Sequence, residues 1–144
     1  MFSAGILPYD GDYIFVGLQA EGWTTFSGKS KIAETPVNTA IREFCEETAG
    51  LFSVLDVKEV ISDVKPIVMS TPRGYCFYLY CVNIKRDTEH ASRFETLRNS
   101  QTRPESLEMR EVEWIKIDEL EHKRLRNAFR SDYLKIRTHL KTIE

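Results

Sequence analysis

Two short segments rich in apolar residues, 3–8 and 13–19, flank Asp10-Gly11-Asp12 near the N-terminus. Apolar runs of strand length around a Gly-containing turn predict a β-hairpin. Residues 20–35 show no period and predict an irregular stretch, including Glu21-Gly22-Trp23 and Ser27-Gly28-Lys29-Ser30. Thr35-Pro36 then opens a helix, with Thr as its cap and Pro at the first helical position. That helix is expected to run to about Ala49 and to stop at Gly50. Residues 54–61 alternate loosely. Residues 75–84, dense in aromatic and β-branched side chains, predict a central strand. The polar segment 85–107 contains a short helix over 89–100. Val112–Ile117 forms a strand, Asp118 begins a helix, and Ser131 begins another. The apolar stripe of this last helix is Tyr133, Leu134, Ile136, Leu140 and Ile143. Strands, helix, strands and helix in that order describe a mixed α/β domain with helices packed on a sheet.

The 144 residues suit one domain, 1–144, with no repeat or linker. The apolar and charged shares, 42% and 29%, are ordinary globular values and exclude disorder. No apolar run is long enough to span a membrane. Met1–Tyr9 has no basic region before its apolar stretch, so it is expected to be a strand and not a signal peptide. Cys45, Cys76 and Cys81 lack the pairing and spacing of a disulfide framework or a zinc site. Buried free thiols in a cytoplasmic protein are expected. His90, His122 and His139 lie in polar segments and are expected at the surface. The net charge of −2 is uneven: residues 121–144 carry seven basic and three acidic groups, a net +4, which leaves −6 on the rest. Such a basic segment can face a polyanion such as RNA or merely form a solvated helix face.

The chemistry sits on the helix after Pro36. Sorted at about 100° per residue, Val37, Ala40, Ile41, Phe44, Cys45 and Thr48 form its buried side. Glu43, Glu46 and Glu47 fall on the other side as one acidic patch. Like charges at this spacing destabilise a helix by a few tenths of a kcal/mol. Their place near the C-terminal end also opposes the macrodipole. Folding gains nothing from the patch, whereas a hard divalent cation needs one. Arg42 stands four residues before Glu46 and can brace it. Upstream, Gly28 in a loop that feeds the helix lets backbone groups approach the same cation or a phosphate.

Gly28, five residues, Glu34, seven residues, then Arg42-Glu43-Phe44-Cys45-Glu46-Glu47-Thr48 resembles the Nudix box, GX5EX7REUXEEXGU with U apolar. Trp23 before the box, and Glu111-Val112-Glu113-Trp114 leading to Asp118-Glu119-Leu120, extend the resemblance. The family's closing Gly falls on Ala49, with Gly50 one position late, so a small shift of the exit loop is expected without loss of metal binding. Lys31 replaces a common extra acid before Glu34.

The resemblance implies an α/β/α sandwich around a mixed β-sheet. It also implies hydrolysis of the pyrophosphate bond of a nucleoside diphosphate linked to another moiety X. Glu43, Glu46, Glu47 and the Gly28 carbonyl are the implied ligands of Mg²⁺ or Mn²⁺. Glu34 and Arg42 are implied to orient them. The general base is a box glutamate or a loop carboxylate among Glu105, Glu108 and Glu111. Glu108 is chosen because its setback from Trp114 resembles the family's loop carboxylate. Lys29 and Arg73 can reach phosphates or face solvent. Trp23 can stack on a base or pack beneath the loop, and Phe26 is expected to pack. A soluble nucleotide is the favoured substrate, with RNA 5′ ends as the alternative through the basic segment. A non-catalytic binding module stands as the competing class. The chain is expected to be a monomer or homodimer.

Overall fold

The computed structural model describes residues 1–143. The hairpin forms as β1 (Ser3–Asp10) and β2 (Tyr13–Gln19), with Gly11 at φ 56° in the turn. The stretch expected to be irregular contains two short strands, β3 (Gly22–Thr24) and β4 (Phe26–Lys29). They are too short to show a period, and their pairing partners are distant: β3 adds to β2, and β4 adds to β1.

Helix α1 (Pro36–Glu47) starts as its sequence predicts, with the Thr35 hydroxyl accepting from the Asn38 N–H at 3.3 Å. Residues 54–61 are helix α2 (Val54–Ile61), capped by Ser53 and burying Val57 and Ile61, four residues apart. Strand β5 (Ile67–Ser70) precedes β6 (Cys76–Asn83), the expected central strand. Helix α3 (His90–Asn99) and strand β7 (Glu111–Lys116) follow close to their expected positions. The helix expected at Asp118 is a 3₁₀ segment, Ile117–His122, and α4 (Asn127–Lys141) begins four residues before Ser131.

Among the described residues seven strands form one sheet, ordered β3-β2-β1-β6-β5, with β4 on β1 and β7 on β2. β1 and β6 run parallel, pairing Ser3–Tyr9 with Phe77–Asn83, and the other pairs are antiparallel. The period-two alternation of side chains splits the core between the two faces. Ala4, Ile6, Phe15, Tyr80 and Val82 point to the side that holds Phe44 of α1, Val57 of α2 and Phe94 of α3. Leu7, Ile14, Val16, Leu79 and Cys81 point to the side covered by Phe129, Tyr133 and Ile136 of α4. This is the mixed-sheet α/β/α sandwich.

Two surface expectations are corrected. Cys76 is exposed, at the edge where β6 begins, whereas Cys81 is buried and Cys45 half-buried. His90 is buried, with its Nδ1 accepting from the Trp114 indole N–H at 2.9 Å and its ring packed between Phe15 and Phe52. The polar sequence around it concealed an inward turn at the start of α3. Burial lowers its pKa, so the neutral form that can accept from Trp114 is favoured.

The exit of α1 is closed by paired reverse hydrogen bonds. Gly50 N–H donates to the Cys45 carbonyl at 3.0 Å and Ala49 N–H to the Glu46 carbonyl at 3.1 Å. Ala49 takes φ 55° and Gly50 φ 78°. The helix thus ends at Glu47, and Ala49, at the position of the motif's closing glycine, takes the left-handed backbone together with Gly50. A Cβ on Gly50 would meet nothing within 4 Å, so conformational strain alone decides its substitution. Gly50→Ala should lower stability by about 1 kcal/mol, read as a lower urea midpoint with an unchanged m-value.

Candidate active site

Glu34 and Arg42 tie the loop after β4 to α1. The Arg42 guanidinium grips Glu34 with both edges, Nε to Oε2 at 2.7 Å and Nη2 to Oε1 at 2.9 Å. Glu34 Oε1 also accepts from the Lys31 N–H at 2.7 Å and the Thr39 hydroxyl at 2.9 Å. These donors, Arg42 foremost, hold the Glu34 carboxyl down at a pKa of about 2. Its oxygens are thereby engaged in holding the loop to the helix. Arg42 Nη2 further donates to the Lys29 carbonyl at 3.0 Å, and Nη1 reaches Glu43 at 2.9 Å and Glu46 at 3.4 Å. Four partners share one guanidinium, whose charge stands in for a cation among three carboxylates.

Glu47 differs from the other two helix glutamates. The helical projection placed it with them on the outward side, yet it is 1% exposed, while Val37 and Cys45 are only half-buried. Both of its carboxylate oxygens are buried without a hydrogen-bond partner. Desolvation, and then the charges of Glu43 and Glu108, push its pKa well above the usual range. Glu43 is raised too, mainly by burial, with Glu46 and Glu108 adding to it against Arg42. Glu108, exposed on the loop before β7, lies near enough for its charge to act on both.

Gly28 lies directly against the Glu43 carboxylate, where any Cβ would overlap the carboxyl group. With no side chain here, the Glu43 carboxylate can rest directly against the backbone of β4. An open cavity of about 480 Å³ begins there, lined by Gly28, Lys29, Arg73, Tyr75, Glu108 and Arg126 among others. Lys29, Arg73 and Arg126 make no ion pair among the described residues. The cavity thus gathers Gly28, Lys29, Arg73 and Glu108, all named from sequence. Trp23 does not line it. Trp23 pairs with Leu125 beside α4, with Lys123 Nζ 5.9 Å from its ring centroid. Phe26 is fully buried, as expected. Tyr75 was not singled out and Arg126 was counted only within the basic segment, because the cavity walls come from segments far apart in sequence and no local spacing marks them.

The donor set fits a hard divalent cation. Carboxylate oxygens, a backbone carbonyl and an orphaned buried carboxylate are what such an ion would satisfy. Among the described residues no three acidic, His or Cys side chains yet converge as a ready-made cation site. Arg42 Nη1 instead contacts both Glu43 and Glu46.

Comparison with known proteins decides the family. A model of the NUDIX domain matches residues 1–135. The chain belongs to the Nudix family. Nudix hydrolases cleave pyrophosphate bonds and need divalent metal ions, and the fold seen here is that of their solved structures. A Nudix hydrolase from M. smegmatis aligns with a TM-score of 0.65 at 17% identity, covering 99% of this chain and 87% of that one. A bifunctional NMN adenylyltransferase/ADP-ribose pyrophosphatase from Francisella tularensis, complexed with AMP and a manganese ion, gives 0.64 at 19%, covering 98% and 41%. A C. elegans Ap4A hydrolase gives 0.54 at 18%, covering 98% and 94%. In sequence, an uncharacterized protein of Acanthamoeba polyphaga mimivirus is 38% identical over an alignment of 73 positions, with 42% of this chain and 24% of that protein covered. No described helix is long and apolar enough to cross a membrane.

The buried Glu47 carboxyl sets a stability prediction. Its neutral form is favoured on folding, so its contribution is present below the usual 4.5 and is lost as pH rises through the elevated folded value. At neutral pH Glu47→Gln should therefore raise the melting temperature of the metal-free protein. Mn²⁺ should raise that of the native chain and have a smaller effect on the variant. A variant that melts lower without metal would contradict the strained-carboxylate reading.

Proposed function

We propose that the chain is a divalent-metal-dependent pyrophosphohydrolase acting on a nucleoside diphosphate linked to another moiety X. The observation that carries this is the orphaned, buried Glu47 carboxylate beside a cavity that holds unpaired cations. Glu43, Glu46 and Glu47 with the Gly28 carbonyl would hold Mg²⁺ or Mn²⁺. Bound there, the cation would supply positive charge to the phosphoryl oxygens and acidify a water molecule. Glu108 accepts the proton as the water oxygen bonds to phosphorus. The bridging P–O bond breaks, and the leaving phosphate keeps its electron pair. Lys29 and Arg73 pair with phosphate oxygens and orient the chain of phosphates. Glu34 and Arg42 keep the glutamates and the Gly28 strand in register.

A soluble nucleotide is favoured as the substrate. The cavity is small and local, and only part of the basic segment reaches it: Arg126 lines the cavity, whereas Arg137 pairs with Asp118 and Glu121, and Arg130 donates to the Lys123 carbonyl. The names of the solved relatives, an ADP-ribose pyrophosphatase and an Ap4A hydrolase, agree with substrates of this size.

Phosphate release should be measured on nucleoside triphosphates, ADP-ribose, nucleotide sugars, dinucleoside polyphosphates and capped RNA, each with Mg²⁺ and with Mn²⁺. One soluble class should turn over with metal only, and Glu47→Gln should lower kcat by about 10²-fold or more. Turnover of capped RNA alone would move the substrate to RNA ends. Silence with no metal binding would make the chain a binding module.

A further inference from the structure

We propose that Arg98 is a positioning residue that holds Glu108 against the acidic cluster. The inference rests on the reading of Glu108 as proton acceptor. Arg98 lies in the last turn of α3, and Glu108 lies on the loop between the 3₁₀ segment Pro104–Ser106 and β7. The Arg98 guanidinium crosses to that loop. Its Nε donates to the Met109 carbonyl at 2.7 Å and its Nη2 to the Leu107 carbonyl at 2.9 Å. Those two carbonyls belong to the residues on either side of Glu108.

The geometry suits arginine in particular. A planar guanidinium presents donors in a fixed fork, so it binds two carbonyls and sets the peptide planes between them. A lysine ammonium has the charge without the fork. Glu108 needs such help from its backbone. Its side chain is exposed, and the polar group it approaches is the like-charged Glu47 carboxyl, which does not anchor it. Its direction is therefore inherited from the loop. Other anchors flank residue 108: Leu107 N–H donates to the Pro104 carbonyl at 3.0 Å, Met109 is fully buried, and Arg110 N–H donates to the Leu18 carbonyl at 2.8 Å. They fix where the loop attaches to the sheet, and Arg98 fixes which way residue 108 faces. α3 thereby has a catalytic purpose that its polar sequence does not announce.

The test is a double-mutant cycle of Arg98→Met and Glu108→Gln in the full chain, with the Arg98→Lys variant added. It is read by steady-state kinetics and by hydrogen exchange over residues 104–110. Arg98→Met should raise exchange across that loop. It should lower kcat by about 10- to 100-fold with KM little changed, because a displaced proton acceptor affects the chemical step. In the Glu108→Gln background the same substitution should cost nothing further. Arg98→Lys should recover only part of kcat, and it serves the same cycle if Arg98→Met does not fold. Equal losses in both backgrounds, or a loss shared by kcat and KM, would reduce Arg98 to a structural staple and overturn the proposal. Unchanged exchange over 104–110 would do the same. A Glu108→Gln variant with native turnover would instead overturn the reading of Glu108 beneath it, whatever Arg98 does to the loop.

Discussion

The Arg42 guanidinium is the constraint around which the site is arranged. It binds Glu34 with two donors, the Lys29 carbonyl with a third contact, and Glu43 and Glu46 through Nη1. These contacts join the end of β4, the loop after it and the outward side of α1 into one rigid piece. Without a cation here, Glu43 and Glu46 would repel each other next to the negative end of the helix dipole. With it, the carboxylates are held close. Gly28 completes the arrangement by letting β4 lie directly against Glu43.

That arrangement divides stability from function. Most of the chain follows what burial favours: Phe15, Phe26, Phe44 and Phe52 pack in a connected aromatic series beneath the site. Glu47 breaks the rule, buried with neither carboxylate oxygen hydrogen-bonded. A buried carboxyl of this kind costs folding free energy in the absence of a cation. Its presence makes sense where a cation binds the folded form and restores the balance. Like-charge strain and orphaned polar atoms are thus concentrated at one place, and the sandwich around it supplies the stability to tolerate them.

The parts of this architecture that were legible in the sequence are those written at short spacing. Thr35-Pro36, the apolar stripe of α1 and the interval from Gly28 to Glu47 fix loop, helix and glutamates within some twenty positions. The dense run ending at Ile84 marked β6. Strands β3 and β4 escaped because three or four residues carry no period, and their pairing depends on β1 and β2. Residues 54–61 looked loosely alternating because Val54, Leu55 and Val60 stay exposed on α2, which blurs its stripe. A helical projection sorts directions but not depth, so Glu47 was grouped with its exposed neighbours although β4 and the loop at Glu108 close over it. His90 and Arg98 were unreadable for a related reason: both sit in a polar segment, and their partners, Trp114 and the carbonyls of Leu107 and Met109, are set by tertiary folding.

The central claim is that the acidic side of α1 is built to hold a divalent cation, with Arg42 standing in for it. Anomalous scattering from crystals grown with Mn²⁺ tests this directly. The account predicts a manganese peak bonded to the Glu47 carboxylate, with Glu43 or Glu46 drawn away from Arg42 to join it. Crystals in which Mn²⁺ binds elsewhere, or not at all, while Glu47 stays buried and unliganded would contradict it.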